Sequence, residues 1–148
     1  MKRAASLFLA AAVVVAAIGC GGDANTPPLG KVTGNVTLNG QPLDGATVEF
    51  IPQGGRPSTG FTDASGNYTL LFRADAPGAV IGKHSVRITS QRGRSGGEGG
   101  EPLVEARAET VPSQYNDKTT LEVEVTSGSN TFDFPLEGKR TGKASSGA

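Results

Sequence analysis

Tryptophan is absent from this 148-residue chain, and histidine, cysteine and methionine occur once each. A single cysteine cannot form an internal disulfide bond. A zinc site needs three or four converging His, Cys or carboxylate ligands, which one histidine and one cysteine do not supply. His84 is the only candidate histidine base, and no serine lies in a G-x-S-x-G sequence. We therefore expect no catalytic site, no metal and no cofactor.

The chain also lacks net charge, since 14 basic residues balance 14 acidic ones. Removal of residues 1–19 would take away Lys2 and Arg3 and leave twelve basic groups against fourteen acidic ones. Nucleic-acid binding normally requires a basic face, so nucleic acid is not an expected partner. Four arginines of the predicted domain are scattered and expected to be solvated: Arg56, Arg92, Arg94 and Arg107.

The N-terminus has the pattern of a secretory signal. Lys2 and Arg3 precede an apolar run over residues 4–18, which only Ser6 interrupts. This run is shorter than the roughly 20 residues of a membrane-spanning helix and suits a signal peptide over residues 1–19. The sequence Ala-Ile-Gly-Cys that ends at Cys20 resembles the bacterial lipobox. That resemblance implies cleavage before Cys20 and attachment of a lipid with two or three acyl chains, palmitate among them, which would anchor the protein stably.

Two other interpretations of this segment are open: an ordinary secretory signal with an incidental cysteine, and an uncleaved anchor helix. We expect the lipidated form, located in the cell envelope on a bacterial membrane, either at the outer membrane or on a periplasmic face. Gly21 follows the cysteine where some enterobacterial lipoproteins carry an inner-membrane retention Asp, and this mildly favours the outer membrane.

Residues 20–30 are predicted to be the lipidated cysteine and a flexible tether, because they are polar, contain two prolines and show no apolar period. Ten extended residues reach roughly 30 Å. At the other end, residues 138–148 are small and polar and are predicted to be disordered.

Between these segments, residues 31–137 alternate apolar and polar side chains with a period of two. Ala46, Val48 and Phe50 share one face, for example, while Thr47 and Glu49 share the other. About seven short runs of this kind follow one another between turn signals, and His84 falls on the apolar face of one of them. Each strand then has one apolar face to bury, so we predict an all-β domain with two antiparallel sheets.

The connections carry their own signals. Asp63 and Gly66 are predicted to form a structural turn, in which Asp63 accepts backbone N–H bonds and Gly66 adopts a positive φ. Asp63, Ser65 and Asn67 alternate like the start of an EF-hand loop, but no Glu follows at the required distance, so a turn is preferred to a calcium site. Asn39-Gly40 alone would suggest a two-residue hairpin turn, but Pro42 and Gly45 soon follow, so we read residues 39–45 as a longer loop. Residues 91–102 are read as a mobile polar loop, and residues 103–110 as one or two helical turns.

Several segments together resemble one family. They are residues 32–38 (VTGNVTL), 40–50 (GQPLDGATVEF), 60–68 (GFTDASGNY) and 82–88 (GKHSVRI). In this order and spacing they resemble the carboxypeptidase regulatory-like domain. Residues 111–117 (VPSQYND) and 130–134 (NTFDF) resemble small planctomycete envelope lipoproteins built on that domain. The resemblance implies a transthyretin-like Greek-key sandwich that is non-catalytic and has no expected cofactor.

The resulting hypothesis is a non-catalytic, membrane-anchored envelope lipoprotein that serves as a structural or protein-interaction module for an unknown envelope protein or glycan. The alternative is a carbohydrate- or peptide-binding module that acts through the loops at one end of the sandwich. Tyr68 and Tyr115 are candidates for a sugar-stacking face, although packing is the better interpretation for both. An enzyme is the third and least favoured class. The hydroxyisourate hydrolases of the transthyretin family need more than one histidine and a Tyr-Arg-Gly-Ser C-terminus, which this chain lacks.

Overall fold

A computed structural model of the chain describes residues 25–138. The predicted signal peptide, Cys20, the first part of the tether and residues 139–148 of the predicted tail lie outside this described part. Strands make up nearly all of its regular structure, together with one 3-10 turn, Ser113–Tyr115. In chain order the strands are β1 (Leu29–Leu38), β2 (Gln41–Pro42), β3 (Thr47–Pro52), β4 (Ser58–Phe61), β5 (Asn67–Thr69), β6 (Leu71–Arg73), β7 (Ala76–Pro77), β8 (Ala79–Val80), β9 (Gly82–Thr89), β10 (Glu122–Val125), β11 (Ser129–Thr131) and β12 (Phe134–Leu136).

The first sheet is organised around β1, whose ten residues are long enough to pair with several short strands placed end to end. On one side β1 pairs antiparallel with β8, β5 and β2, and on the other it pairs in parallel with β11 and β12. Gly34 of β1 lies so close to the chain after β11 that an added Cβ would overlap the carbonyl oxygen of Phe132. Glycine is therefore required for this close approach.

The second sheet has the order β10-β9-β3-β4-β6-β7, and every neighbouring pair in it is antiparallel. As the alternation predicts, Ala46, Val48 and Phe50 are fully buried, while Thr47 and Glu49 lie on the outer face. Pro77 at one edge has no N–H to donate, and Glu122 and Glu124 at the other edge are charged and exposed. A proline and charged side chains at the edges of a sheet are both recognised means of preventing edge-to-edge aggregation.

The inner faces of the two sheets enclose one hydrophobic core. Phe50 lies near its centre, with ring centroids 5.7 Å from Phe132 and 6.2 Å from Phe134. The buried members of the core are Val32, Val36, Leu38, Leu43, Ala46, Val48, Phe50, Tyr68, Leu70, Ala79, Val86, Ile88, Val111, Val125, Phe134 and Leu136. The prediction of an all-β sandwich of two sheets is therefore confirmed.

Strand number and direction differ from the expected arrangement in detail. Residues 25–138 form twelve strands where about seven short ones were predicted, partly because irregularities such as the register shift between Leu71 and Arg73 divide the runs. The first strand begins at Leu29, two residues before the predicted domain boundary. Pairing of β1 with β11 and β12 is parallel, because alternation determines which face a residue occupies but not the direction of the strand beside it.

Asn39 and Gly40 form a tight two-residue turn, which corrects the prediction of a long loop over residues 39–45. Leu38 pairs directly with Gln41, and the two turn residues have φ values of 52° and 79°. Two successive positive φ values match the twist of a β-hairpin, and Asn-Gly is the sequence that adopts them most readily. Pro42 had suggested a longer loop, but it belongs to β2.

Candidate functional site

Residues 91–108 form an extended hairpin, hereafter the hairpin arm, between Ser90 and Glu109. Near its base Arg92 and Arg107 exchange backbone hydrogen bonds of 3.0 and 2.9 Å, and further out Ser95 and Val104 do the same at 3.0 and 2.8 Å. These pairs correct two predictions: residues 91–102 contain one side of a paired structure and its turn, and residues 103–110 are extended rather than helical. The alternation was too weak to predict the pairing because five glycines interrupt residues 91–102 with no side chain to mark a face.

The hairpin arm lies at one end of the sandwich. Thr89, the last residue of β9, pairs with Thr47 at the start of β3. The chain enters the sandwich at the opposite end, where Leu29 pairs with Val80 shortly before β9 begins. The base of the arm therefore lies at the end of the sandwich opposite to the N-terminal entry.

Glu109 anchors the arm to the end of β9. Its Oε1 atom accepts hydrogen bonds from Ser90 N at 2.9 Å, Ser90 Oγ at 2.7 Å, Thr110 N at 3.0 Å and Val111 N at 2.8 Å. Ser90 is fully buried, and its hydroxyl also lies 2.8 Å from Thr110 N. Hydrogen bonds to a carboxylate are stronger than neutral ones, so this cluster holds the two ends of the arm together.

The same contacts determine the ionisation of Glu109. Burial on its own raises the pKa of this carboxyl group, but the hydrogen bonds from the Ser90 side chain and from neighbouring backbone N–H groups outweigh it and lower the pKa below its ordinary value. Glu109 is thus held as a carboxylate, which is the form that accepts all four hydrogen bonds.

Arg107 provides a second anchor and corrects the prediction that it is solvated. Its Nε donates to Ser90 O at 2.8 Å, Nη1 to Asp44 O at 2.8 Å and Nη2 to Gly45 O at 2.9 Å. One planar guanidinium therefore ties the arm to β9 and to the turn before β3. The pKa of Arg107 is lowered, mainly by burial and secondly by the positive charge of the nearby Arg92. The carboxylates of Asp44 and Glu109 oppose this shift.

The outer part of the arm combines exposed apolar and charged side chains. Leu103 is 45% exposed and Val104 is 37% exposed. Charged residues surround them in the sequence at Arg94, Glu101 and Glu105, all of which are exposed. A projecting strand pair with apolar side chains on a firmly held base is a suitable shape for contact with another molecule.

The predicted turn residues Asp63 and Gly66 lie on the connection between β4 and β5. Asp63 Oδ1 accepts hydrogen bonds from Ser65 N and Asn67 N, both at 2.9 Å. Gly66 has a φ of 80° and donates its N–H to Asp63 O at 2.9 Å. Asp63 Oδ1 is thus engaged by the backbone of its own turn.

His84 is 2% exposed, as its place on the apolar face of β9 predicted. Its Nε2 lies 2.7 Å from Val80 O, and its ring packs 5.8 Å from the ring of Phe50. A small groove of about 120 Å³ adjoins it and is lined also by Gln53, Lys83, Ser85 and Glu122. Within residues 25–138, no group of three or more His, Cys, Asp or Glu side chains converges as a metal site would require.

The two tyrosines pack rather than form a sugar-stacking face. Tyr68 is 3% exposed and donates its hydroxyl hydrogen to Phe132 O at 2.7 Å. Burial, and to a lesser degree the charge of Asp133, raise the pKa of Tyr68 well above its ordinary value. Tyr115 packs against the core, and its hydroxyl lies 3.3 Å from Glu137 O.

Sequence reasoning missed a second surface, the outer-face groove, on the solvent side of the second sheet. This groove of about 390 Å³ is lined by Glu49, Arg56, Pro57, Thr59, Phe61, Leu71, Phe72, Arg73 and Ala74. Phe61 is 71% exposed and Leu71 is 42% exposed. The alternation within β4 indicates that Phe61 is exposed. Ser58 and Gly60 are buried, so Phe61 points to the opposite, outer face.

No helix within residues 25–138 combines the length and the apolar character needed to cross a bilayer. Cys20, the predicted lipidation site, precedes the described residues, so the structure provides no geometry for it. The number of residues between Cys20 and the sandwich is nevertheless known, because β1 begins nine residues after Cys20.

No protein-family model and no curated protein matches the chain. A crystal structure of a DUF3823 family protein from Parabacteroides merdae aligns with a TM-score of 0.37 and 17% identity, covering 76% of this chain and 46% of that chain. A crystal structure of a 9R-lipoxygenase from Cyanothece aligns with a TM-score of 0.40 and 17% identity, covering 78% of this chain and 18% of that chain. The chain spans about half the length of the first and less than a fifth of the second.

Proposed function

We propose that this chain is a lipid-anchored envelope protein whose β-sandwich is a non-catalytic module of the carboxypeptidase regulatory-like type, with a structural or protein-interaction role. The observation that carries the proposal is the lipobox-like sequence at Cys20, placed nine residues before the first strand of a sandwich domain. A module so close to its lipid would be displayed at the membrane surface.

The hairpin arm is the surface that we assign to partner contact. Glu109 and Arg107 fix its base through hydrogen bonds of 2.7 to 3.0 Å, so binding would require little ordering of the base. Its base lies at the end of the sandwich opposite to the N-terminal entry, apart from the point where the anchored chain would join the domain. Leu103 and Val104 provide the exposed apolar side chains for the contact.

A peptide-binding module is the second candidate function, and one observation favours it over carbohydrate binding. The exposed side chains of the arm are the aliphatic Leu103 and Val104, whereas sugars are usually held by stacking on aromatic rings. An extended peptide could also pair with the exposed backbone edge of the arm or of β10.

Substitution of the predicted acylation site tests the anchor. The Cys20→Ser variant and a matched Ser6→Ala variant, which leaves the cysteine in place, are expressed in a Gram-negative host and fractionated. We expect Ser6→Ala to remain with the membranes, with a mass that includes a diacylglyceryl group, and Cys20→Ser to be released from them. Retention of Cys20→Ser in the membrane with an uncut N-terminus would contradict the proposal.

Photo-crosslinking in the native organism tests the interaction role. A photoreactive amino acid is placed at Leu103 on the arm or, as the control, at Glu124 on the exposed edge of β10. Products at Leu103 that mass spectrometry assigns to one envelope protein support the arm as the contact. Products at Glu124 alone would move the contact to the sheet edge, and an absence of products at both sites would contradict an interaction role.

A further inference from the structure

The outer-face groove exposes apolar side chains on neighbouring strands. Leu71 of β6 lies directly opposite Thr59 of β4, and Phe61 is two residues further along β4 on the same face. Phe61 and Leu71 are therefore diagonal neighbours, and both line the groove. A phenylalanine that is 71% exposed is poorly accommodated by water, so this face is a candidate for contact with an apolar phase.

The N-terminal segment enters the domain beside this groove. Arg73 lines the groove, and its Nη2 donates a hydrogen bond to Thr26 Oγ1 at 2.7 Å. Two residues later, Pro28 O accepts a hydrogen bond from Ile81 N at 3.2 Å. The chain that leads from Cys20 is thus attached to the same side of the molecule as the groove.

The chain length between Cys20 and Thr26 limits how far this side can move from the anchor. Six residues span at most about 20 Å, whatever conformation they adopt. If Cys20 carries a lipid, Thr26 lies within this distance of the lipid headgroups. Arg73, which is hydrogen-bonded to Thr26, is then held at a similar distance from them. The bilayer would then be an apolar phase within reach of Leu71, two residues from Arg73 in β6, and of its diagonal neighbour Phe61.

The charges around the groove suit a phospholipid surface. Glu49 lies 3.7 Å from Arg87, and Asp75 lies 3.0 Å from Arg73, so both carboxylates have a cationic neighbour. Arg56 is exposed and makes no ion pair with any other residue of the described part. A free guanidinium beside an exposed aromatic ring is a suitable pairing for lipid phosphates and the interfacial layer beneath them.

We propose that the outer-face groove is a membrane-contact surface, in which Phe61 and Leu71 enter the interfacial layer of the bilayer that holds Cys20 and Arg56 lies against lipid phosphates. The proposal rests on the lipid anchor proposed above. The sandwich then lies with its second sheet toward the membrane. The lipid anchor and the groove both contribute to membrane attachment, and two such contributions bind more stably than one.

The absence of tryptophan makes a direct test possible, because one introduced tryptophan is the sole indole emitter. Full-length protein carrying Phe61→Trp, or Leu103→Trp as the matched control on the hairpin arm, is purified from membranes. It is reconstituted into vesicles of equal parts phosphatidylcholine and phosphatidylglycerol, with or without bromine on the acyl chains. Both positions are exposed, so neither substitution should disturb the core, and circular dichroism checks that the fold is retained.

We expect the fluorophore of Phe61→Trp to emit at shorter wavelength and to be quenched several-fold by the brominated lipids, while that of Leu103→Trp is unaffected. Adding Arg56→Gln to Phe61→Trp should reduce the quenching in these vesicles and change it little in pure phosphatidylcholine. Equal and weak quenching at both positions would overturn the proposal. A blue shift without quenching would also overturn it, since it would indicate that a second copy or another protein covers the groove.

Vesicle flotation separates this proposal from the anchor. If both tryptophan variants float with the vesicles and Phe61→Trp stays unquenched, the anchor stands and the membrane-contact surface is wrong. If neither variant floats, the anchor itself is wrong and the contact fails with it.

Discussion

The carboxylate of Glu109 and the buried hydroxyl of Ser90 are 2.7 Å apart, and this contact joins the end of β9 to the chain that returns from the hairpin arm. The two residues are 19 positions apart in the sequence, and the residues between them are the hairpin arm, none of which belongs to the buried core. A single hydrogen-bonded cluster therefore determines where the arm begins and ends.

Replacement of Glu109 by glutamine should destabilise the domain. The amide oxygen cannot match the charge-assisted acceptance of four hydrogen bonds, and Ser90 would remain buried with weaker partners. Losses of this kind cost about 1–3 kcal/mol in the free energy of unfolding. Urea denaturation measures the change, and Glu105→Gln on the exposed arm is the control, with an expected effect within about 0.5 kcal/mol. Equal stability of the two variants would exclude an anchoring role for Glu109.

The stability contributed by Glu109 should depend on pH. The folded-state pKa of this carboxyl group lies below its unfolded value of about 4.3, so the folded state favours the charged form. The contribution is then fully present above the unfolded pKa and is lost as the pH falls through the folded pKa. Urea unfolding between neutral and acidic pH should show a shallower acid-induced loss in Glu109→Gln than in the unmodified protein. Parallel pH profiles for the two proteins would show that another carboxyl group is responsible.

Replacement of Arg107 by lysine should loosen the hairpin arm more than it weakens the sandwich. An ammonium group is a single point of charge and cannot reach the carbonyl oxygens of Ser90, Asp44 and Gly45 together. We expect faster hydrogen exchange at the paired amides of Ser95 and Val104, with little change in the core. Arg94→Lys, an exposed position on the same arm, serves as the control. Unchanged exchange in Arg107→Lys would contradict the assigned role.

Replacement of Gly34 by alanine should be among the most damaging single changes in the first sheet. The new Cβ would overlap the carbonyl oxygen of Phe132, and the backbone on both sides would have to separate. Overpacking of this kind costs about 1–3 kcal/mol or more. Gly54→Ala is the matched control, because a Cβ there meets no atom within 4 Å. Thermal unfolding of both variants measures the difference, and a small effect at Gly34 would show that β1 and residue 132 can move apart easily.

Local signals in the sequence predicted much of the fold. The alternation over residues 46–50 and around His84 correctly assigned inward and outward faces, since a side chain in a strand points to the side opposite its neighbour's. The Asn39-Gly40 turn was also encoded locally, but the nearby Pro42 was given too much weight. Predictions of this kind succeed because they depend on residues only a few positions apart.

The candidate interaction surfaces could not be predicted in the same way. Arg107 had the appearance of a solvated charge because its acceptors, Asp44 and Gly45, are more than sixty positions away. Phe61 was not singled out from the sequence, and its place beside Leu71 depends on the pairing of β4 with β6. Contacts between distant parts of the chain have no local pattern, and hairpins interrupted by glycine have no side chains to reveal one.

The amino-acid sequence by itself determined the two-sheet character of the domain, the burial of His84 and the candidate acylation site at Cys20, because each depends on side-chain chemistry within a short stretch. Only the tertiary structure decided that β11 and β12 run parallel to β1, that Glu109 and Arg107 hold the hairpin arm, and that Phe61 faces solvent in a groove that Arg73 also lines. These outcomes follow from the packing of segments up to about a hundred residues apart. The free energy of folding for such packing depends on the whole core and not on the sequence of any one strand.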